Sequence, residues 1–185
     1  AMGPGRAHVH RFTIGGNKEG DITHYRLEVL ADSGAYARLG AFLPMFTLIM
    51  SSGVYDIPNI ETAARSVVTN TTPTEAYRGA GRPEAALTIE RAVDMFAAEI
   101  GMDTAEIRRK NYLQAKDFPV STAVGTEYDS GDYEKSLELA LQAAGYSDLR
   151  TEQTKRRENG EVVQLGIGIA TYVEITAGPA PGGAE

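Results

Sequence analysis

With 185 residues, 42% of them hydrophobic and 23% charged, the chain reads as globular rather than disordered and is long enough for one sizeable domain. A net charge of −7 argues against a nucleic-acid partner, which would need a basic face. The absence of cysteine excludes disulfides, zinc–thiolate sites, iron–sulfur clusters and cysteine nucleophiles within the chain, and no apolar run or signal-peptide pattern points to a membrane or to export. The expectation is a cytoplasmic protein.

Ala1 to Gly5 reads as a cloning remnant, which leaves 6–177 as the folded part and 178–185, rich in glycine and proline, as a flexible tail. His8 to Ile14 and Ile22 to Tyr36 read as a β-hairpin around a loop of Gly, Asn and Asp, with Tyr25, Leu27, Val29 and Ala31 on one face of the second strand. His8 and His10 share one side of the first strand and His24 lies on the second. Such a group can ligate a metal, but beside a remnant it reads more simply as a solvated edge. Ala41 to Met50 is apolar almost throughout, either a buried helix or a buried irregular segment. Ser66 to Thr69 reads as a short strand.

Pro83 to Ile100 is the clearest helix, with Ala86, Ile89, Val93, Phe96, Ala97 and Ile100 on one face and Gly101 to end it. Asp103, with Glu106 three residues on, caps a second helix that runs to about Asn111. Gly131 to Ala144 is a third, with Leu137, Ala140, Leu141 and Ala144 facing inward. Lys155 to Arg157 reads as a solvated helix end. Val162 to Thr176 reads as strand-rich, with Gly166 and Gly168 marking a bulge or a close backbone approach. Strands at both ends with helices between them predict an α+β fold: a hairpin within a mixed sheet, plus a group of helices.

Thr69 to Ala85 carries the chemistry. It reads as a strand end, a turn, a glycine-flexible loop and a helix start, with Pro83 in the first turn and Glu84 at the positive end of the helix dipole. Gly79 and Gly81 leave backbone N–H groups unshielded beside a helix N-terminus, and Arg78 and Arg82 add fixed positive charge. That combination suits an anionic ligand or one that becomes anionic. Taken alone, the loop reads more simply as a tight turn with two surface arginines that opens a helix. The spacing fits neither a dinucleotide fingerprint nor a Walker loop, since the third glycine and the Gly-Lys-Ser/Thr triplet are missing.

Thr69-Asn70, Pro73 and the run Ala76-Tyr77-Arg78-Gly79-Ala80-Gly81-Arg82-Pro83-Glu84-Ala85 resemble the active-site loop of molybdenum hydroxylase large subunits, the family of xanthine dehydrogenase, aldehyde oxidase and carbon monoxide dehydrogenase. Similar segments follow in register at Glu90-Arg91, Asp94, Gly101 to Asp103 and Glu106 to Asn111. Phe118-Pro119, Gly125 and Tyr128 to Tyr133 resemble the carbon monoxide dehydrogenase branch. Gly166 to Ala170 and Tyr172 to Glu174 resemble a later strand, and Asp32 to Tyr36 fits the upstream hairpin.

The resemblance implies part of a larger molybdopterin-binding domain, with the cofactor in its cytosine dinucleotide form. It implies a small-molecule substrate, and iron–sulfur and flavin subunits or domains as electron partners. Arg78 would face the substrate side of the molybdenum and stabilise negative charge that builds on the substrate. Tyr77, Gly79, Ala80 and Gly81 would line the cofactor site. Ile169 and Ala170 match positions that touch substrate in the xanthine dehydrogenase branch, and Tyr128 is a further pocket candidate. No residue here is implied as a metal ligand. Gly79 stands where carbon monoxide dehydrogenases carry the copper-binding cysteine, which implies an aldehyde or an aromatic heterocycle as substrate instead. Glu90 reads as a structural partner for backbone or arginine, and Glu174 as structural. The catalytic glutamate and the other cofactor loops of the family are not among these residues. The chain alone is therefore expected to be an inactive, cofactor-free fragment that self-associates. The rival reading is a non-catalytic binding or scaffold domain.

Overall fold

A computed structural model describes residues 5–175. Strands β1 (His8–Gly16) and β2 (Ile22–Gly34) pair antiparallel with Phe12 opposite Leu27, and the expected hairpin is present. Its loop is closed by local chemistry: the Asn17 amide donates to Asp21 Oδ2 (2.7 Å), and the Asp21 N–H donates to Asn17 Oδ1 (2.9 Å). Asn111 then pins the hairpin from the far side of the chain, donating to the Gly20 carbonyl and accepting from the Ile22 N–H, each at 2.8 Å.

Strand β3 (Asn59–Val68) runs parallel to β2, giving a mixed sheet of order β1-β2-β3. It is longer than Ser66 to Thr69 had suggested. Its residues are mostly exposed, so its sequence need not alternate, and the polar stretch Asn59 to Arg65 carries no strand signal. The parallel crossover passes through a 3-10 turn (Leu39–Phe42) and helix α1 (Leu43–Ile49). Leu43, Thr47 and Met50 are buried there, but Phe42 and Met45 are exposed, so the apolar run is buried on one side only.

Helix α2 (Arg82–Ile100) packs on the sheet. Ile89, Ala92, Val93 and Ala97 meet Tyr25, Leu27 and Val29 of β2 in one core cluster. Each large aliphatic side chain buried there stabilises the fold by roughly 1.5–3 kcal/mol. Gly101, at φ +72°, ends α2 by donating its N–H to the last carbonyls. Helix α3 (Thr104–Asn111) starts as expected on Asp103, whose carboxylate accepts from the Ala105 and Glu106 N–H groups.

A small ribbon, β4 (Val120–Ser121) with β5 (Glu127–Tyr128), leads to helices α4 (Tyr133–Ala144) and α5 (Tyr146–Glu158). On α4, Leu137 is buried and Leu141 half-buried. Ala140 and Ala144, expected to face inward, are exposed along a groove beside residues 165–170. Lys155 to Arg157 form the basic last turn of α5.

Residues 162–175 correct the expected strand: they join no sheet among the described residues. The segment is extended, and burial alternates from Leu165 to Ile175 because one side rests on the helices. Side chains hold its backbone in place of a ladder. Gln153 donates to the Leu165 carbonyl and Arg108 to the Ile169 carbonyl, each at 2.8 Å, and the Tyr112 hydroxyl lies 2.7 Å from Thr171 Oγ1. The tail expected at 178–185 lies outside the described residues. Among the described residues, no helix is long and apolar enough to cross a membrane.

Candidate active-site loop

The loop is fixed first at its upstream end. Asp32, at the end of β2, accepts from the Gly34 N–H (2.8 Å), Thr69 Oγ1 (2.6 Å) and Thr71 Oγ1 (2.9 Å). These bonds, led by the one from Thr69, hold its carboxyl below the usual carboxylate range. Thr69 N–H donates to the Gly34 carbonyl, and Ala35 N–H to that of Thr71, so residues 32–35 and 69–74 form one unit. Gly34, at φ +69°, lies so close to the Thr72 carbonyl and Pro73 that a side chain there would displace backbone.

Residues 79–81 then turn through three consecutive positive φ angles: +85° at Gly79, +43° at Ala80 and +92° at Gly81. Ala80 in that region costs on the order of 1 kcal/mol or more, so the surroundings must hold it. They do so from below. Gly81 is the N-cap of α2 and sits against α1, where the buried Thr47 hydroxyl donates to its carbonyl (2.9 Å). The helix begins at Arg82, as the sequence predicts from Pro83. The N–H groups of Ala80 and Arg82 are bonded inside the loop, to the carbonyls of Tyr77 and Gly79. Those of Gly79 and Gly81 have no partner among the described residues.

Tyr77 and Arg78 are exposed. Together with Arg6, Gly79, Arg82 and Glu174 they border an open hollow of about 570 Å³. Arg82 lies 3.1 Å from Glu174 and 5.3 Å from the centre of the Phe46 ring. Glu174 is thus an ion-pair partner, as its structural reading expects. Ala80 and Gly81 stand behind the rim. Of the three substrate-pocket candidates, the structure brings none to the hollow. Ile169 is half-buried with its carbonyl on Arg108, Ala170 is exposed along the α4 groove, and Tyr128 is buried in the core with its hydroxyl 2.8 Å from the Gly53 carbonyl. Burial pushes the Tyr128 phenol pKa up.

Arg6 joins the site without a local sequence signal. Its Nε lies 2.9 Å from Oε1 of the buried Glu84, its guanidinium covers the Tyr77 ring, and it donates to the Arg78 carbonyl. His8 and His10 stack beside this pair, with His10 Nδ1 2.5 Å from Thr88 Oγ1. Burial lowers both imidazole pKa values, against a pull upward from Glu84. His24 bonds Thr23 instead of joining them. No group of three or more histidines and carboxylates is placed to hold a metal among the described residues.

Behind the loop, Glu90 is the structural partner its sequence position implied. Arg108, fully buried, donates to Glu90 Oε2 through Nε (2.9 Å) and Nη2 (2.8 Å), and to Asp94 through Nη1 (2.8 Å). Tyr55 donates to Glu90 Oε1 (2.5 Å). Burial pushes the Glu90 carboxyl up, while Arg108 and Tyr55 pull it back.

Residues 1–112 match the family model of the molybdopterin cofactor-binding domain. The chain is 40% identical over 167 residues to the carbon monoxide dehydrogenase large chain of Hydrogenophaga pseudoflava, covering 87% of this chain and 21% of that one. It is 34% identical over 172 residues to the gamma subunit of the 6-hydroxypseudooxynicotine dehydrogenase complex of Paenarthrobacter nicotinovorans, covering 89% and 21%. A solved Cu,Mo-CO dehydrogenase in its carbon monoxide reduced state superposes with a TM-score of 0.78 at 34% identity, over 85% of this chain and 20% of that one. The chain therefore spans about a fifth of the length of these relatives. With the α+β fold, the glycine loop capping α2 and the family model over more than half its residues, the chain belongs to the molybdopterin cofactor-binding domain family of molybdenum hydroxylase large subunits.

Proposed function

We propose that this chain supplies the substrate-side loop of a cytoplasmic molybdenum hydroxylase, with Arg78 as the catalytic residue. The observation that carries this reading is the exposed Arg78 guanidinium, on a loop held by buried contacts, at the rim of an open hollow. The residues present fit a molybdopterin cofactor. The Gly79 and Gly81 N–H groups have no partner within the described chain, and they sit at the N-terminus of a 19-residue helix, where anionic oxygen is favoured. Tyr77 and the backbone of 79–81 would hold the cofactor, in its cytosine dinucleotide form. When bound, that group supplies the redox chemistry of the hydroxylation, and iron–sulfur and flavin partners carry the electrons away.

The chain's own part is electrostatic. Arg78 presents a planar fork of donors to a substrate whose oxygen or ring nitrogen gains negative charge as carbon is attacked. Ile169, Ala170 and Tyr128 would contribute to a substrate pocket only where further segments of the enzyme extend it beyond this hollow. Gly79 offers no thiolate for copper, so the substrate class is an aldehyde or an aromatic heterocycle. The name of the 6-hydroxypseudooxynicotine dehydrogenase relative is consistent with that class. The 185-residue chain by itself would bind no cofactor and would self-associate through the open edges of β1 and β3.

The test is Arg78→Lys and Arg78→Ala in the complete enzyme. Lysine should lower kcat on the order of a hundredfold with KM little changed, the size expected for one lost oxyanion donor. Unchanged turnover in Arg78→Ala, with molybdenum still bound, would remove Arg78 from the chemistry.

A further inference from the structure

Arg6 lies 72 residues before Arg78, yet it meets the loop on both sides of that residue, at Tyr77 and at Glu84. The Arg6 guanidinium centre sits 4.8 Å over the Tyr77 ring. Its Nη2 donates to the Arg78 carbonyl, and its Nε faces Glu84 at 2.9 Å. One planar cation therefore ties together the residue before Arg78, the backbone of Arg78 and the first turn of α2. A guanidinium can do this because its face stacks while its edges donate; an ammonium cannot do both.

Two further observations show that this contact is built. Arg6 itself adopts φ +64°, a backbone conformation that L side chains rarely take, as expected of a residue held by its partners. Glu84 is buried, and its oxygens receive no aligned hydrogen bond among the described residues, so its charge is balanced chiefly by Arg6 at ion-pair distance. The buried contacts from Thr47 and α1 hold the loop at Gly81, downstream of Arg78, and the bonds within it run from the Ala80 and Arg82 N–H groups and the Arg82 side chain. At Tyr77 and Arg78 the backbone is tied chiefly by Arg6, and the Arg78 side chain has no ion-pair partner among the described residues. The aim of the Arg78 guanidinium then depends on the backbone at 77–78.

We propose that Arg6 is a positioning residue: it fixes the backbone of Tyr77 and Arg78 so that the Arg78 guanidinium faces the substrate. This rests on the catalytic reading of Arg78, and the experiment separates the two. In the complete, cofactor-loaded enzyme, Arg6→Ala, Arg6→Lys and Arg78→Ala are compared by deuterium uptake of a peptide spanning 76–84, molybdenum content, thermal midpoint, kcat and KM. Arg6→Ala should speed exchange at the Ala80 and Arg82 amides on the order of tenfold. It should lower kcat on the order of tenfold or more, with KM within about twofold and molybdenum retained. Arg6→Lys should keep the thermal midpoint, because it keeps a positive charge opposite Glu84, yet repeat the loss of kcat.

Full rescue by lysine would show that Arg6 serves only as an ion-pair partner and would overturn the proposal. So would unchanged exchange in Arg6→Ala. Wild-type turnover in Arg78→Ala would sink the reading of Arg78, while the exchange result would still decide whether Arg6 holds the loop.

Discussion

Replacing Arg108 by methionine should be among the most damaging single changes in this chain. The side chain is fully buried and makes hydrogen bonds to Glu90, Asp94 and the carbonyls of Thr104 and Ile169. Methionine fills much of the volume but leaves the buried Glu90 with Tyr55 as its remaining side-chain donor. Breaking a buried ion pair by removing one partner costs roughly 3–5 kcal/mol. For a chain of this size that corresponds to a fall in Tm of very roughly 6–20 °C, at about 2–4 °C per kcal/mol. The loss should also depend on pH. Without Arg108 the Glu90 pKa rises further above its unfolded value, so the folded state binds the extra proton and stability falls as pH rises. The deficit should therefore be larger at pH 8 than at pH 5. Urea unfolding followed by circular dichroism at the two pH values measures both effects. Arg108→Met with Glu90→Gln should recover part of the loss, since the stranded charge is gone. A deficit below about 1 kcal/mol at pH 8, set against the cost expected for a broken buried pair, would refute the reasoning.

Two other outcomes follow from the geometry upstream of the loop. Gly34→Ala and Gly101→Ala both place alanine at positive φ, but a methyl at Gly101 meets nothing within 4 Å while one at Gly34 meets the Thr72 carbonyl and Pro73. Urea unfolding should show about 1 kcal/mol for Gly101→Ala, the backbone penalty alone, and on the order of 3 kcal/mol for Gly34→Ala, where overpacking is added; equal costs would show that the close approach is not what requires glycine. Asp32 has its carboxyl held below the ordinary 3.8 by Thr69, Gly34 and Thr71, so its contribution is present above that pH and is lost as pH falls through the lowered value. An acid titration of stability should therefore be flatter below pH 3.8 in Asp32→Asn than in the unaltered chain.

What was legible in the sequence was whatever repeats with a period. Tyr25, Leu27, Val29 and Ala31 alternate because one face of β2 lies on α2, and the apolar face of α2 follows from the same contact. Of β3 and α5 only the ends are legible, because neither buries a regular face: β3 is mostly exposed and α5 buries only Gln153. Residues 165–175 misled for the opposite reason. They have strand periodicity without a ladder, because side chains of Gln153 and Arg108 satisfy the carbonyls that a neighbouring strand would. At the site, the order of glycine, arginine and proline around residue 80 was readable as a loop entering a helix, and the capping geometry follows from it. Arg6 was not readable, since nothing local marks an arginine whose partners lie more than 70 residues away.

The long-range fastening of the loop also bears on the order in which the chain acquires its structure. Hairpin β1–β2 and helix α2 rest on contacts close in sequence and can form early. The loop depends instead on a contact spanning 72 residues to Arg6, and the core behind it on one spanning 61 residues, from Arg108 to Ile169. Such contacts wait for loop closure, so the rim around Arg78 should be among the last parts to become rigid. During synthesis, α2 can be complete while Glu174 and Ile175 are still unmade, and the hollow lacks that side until they arrive.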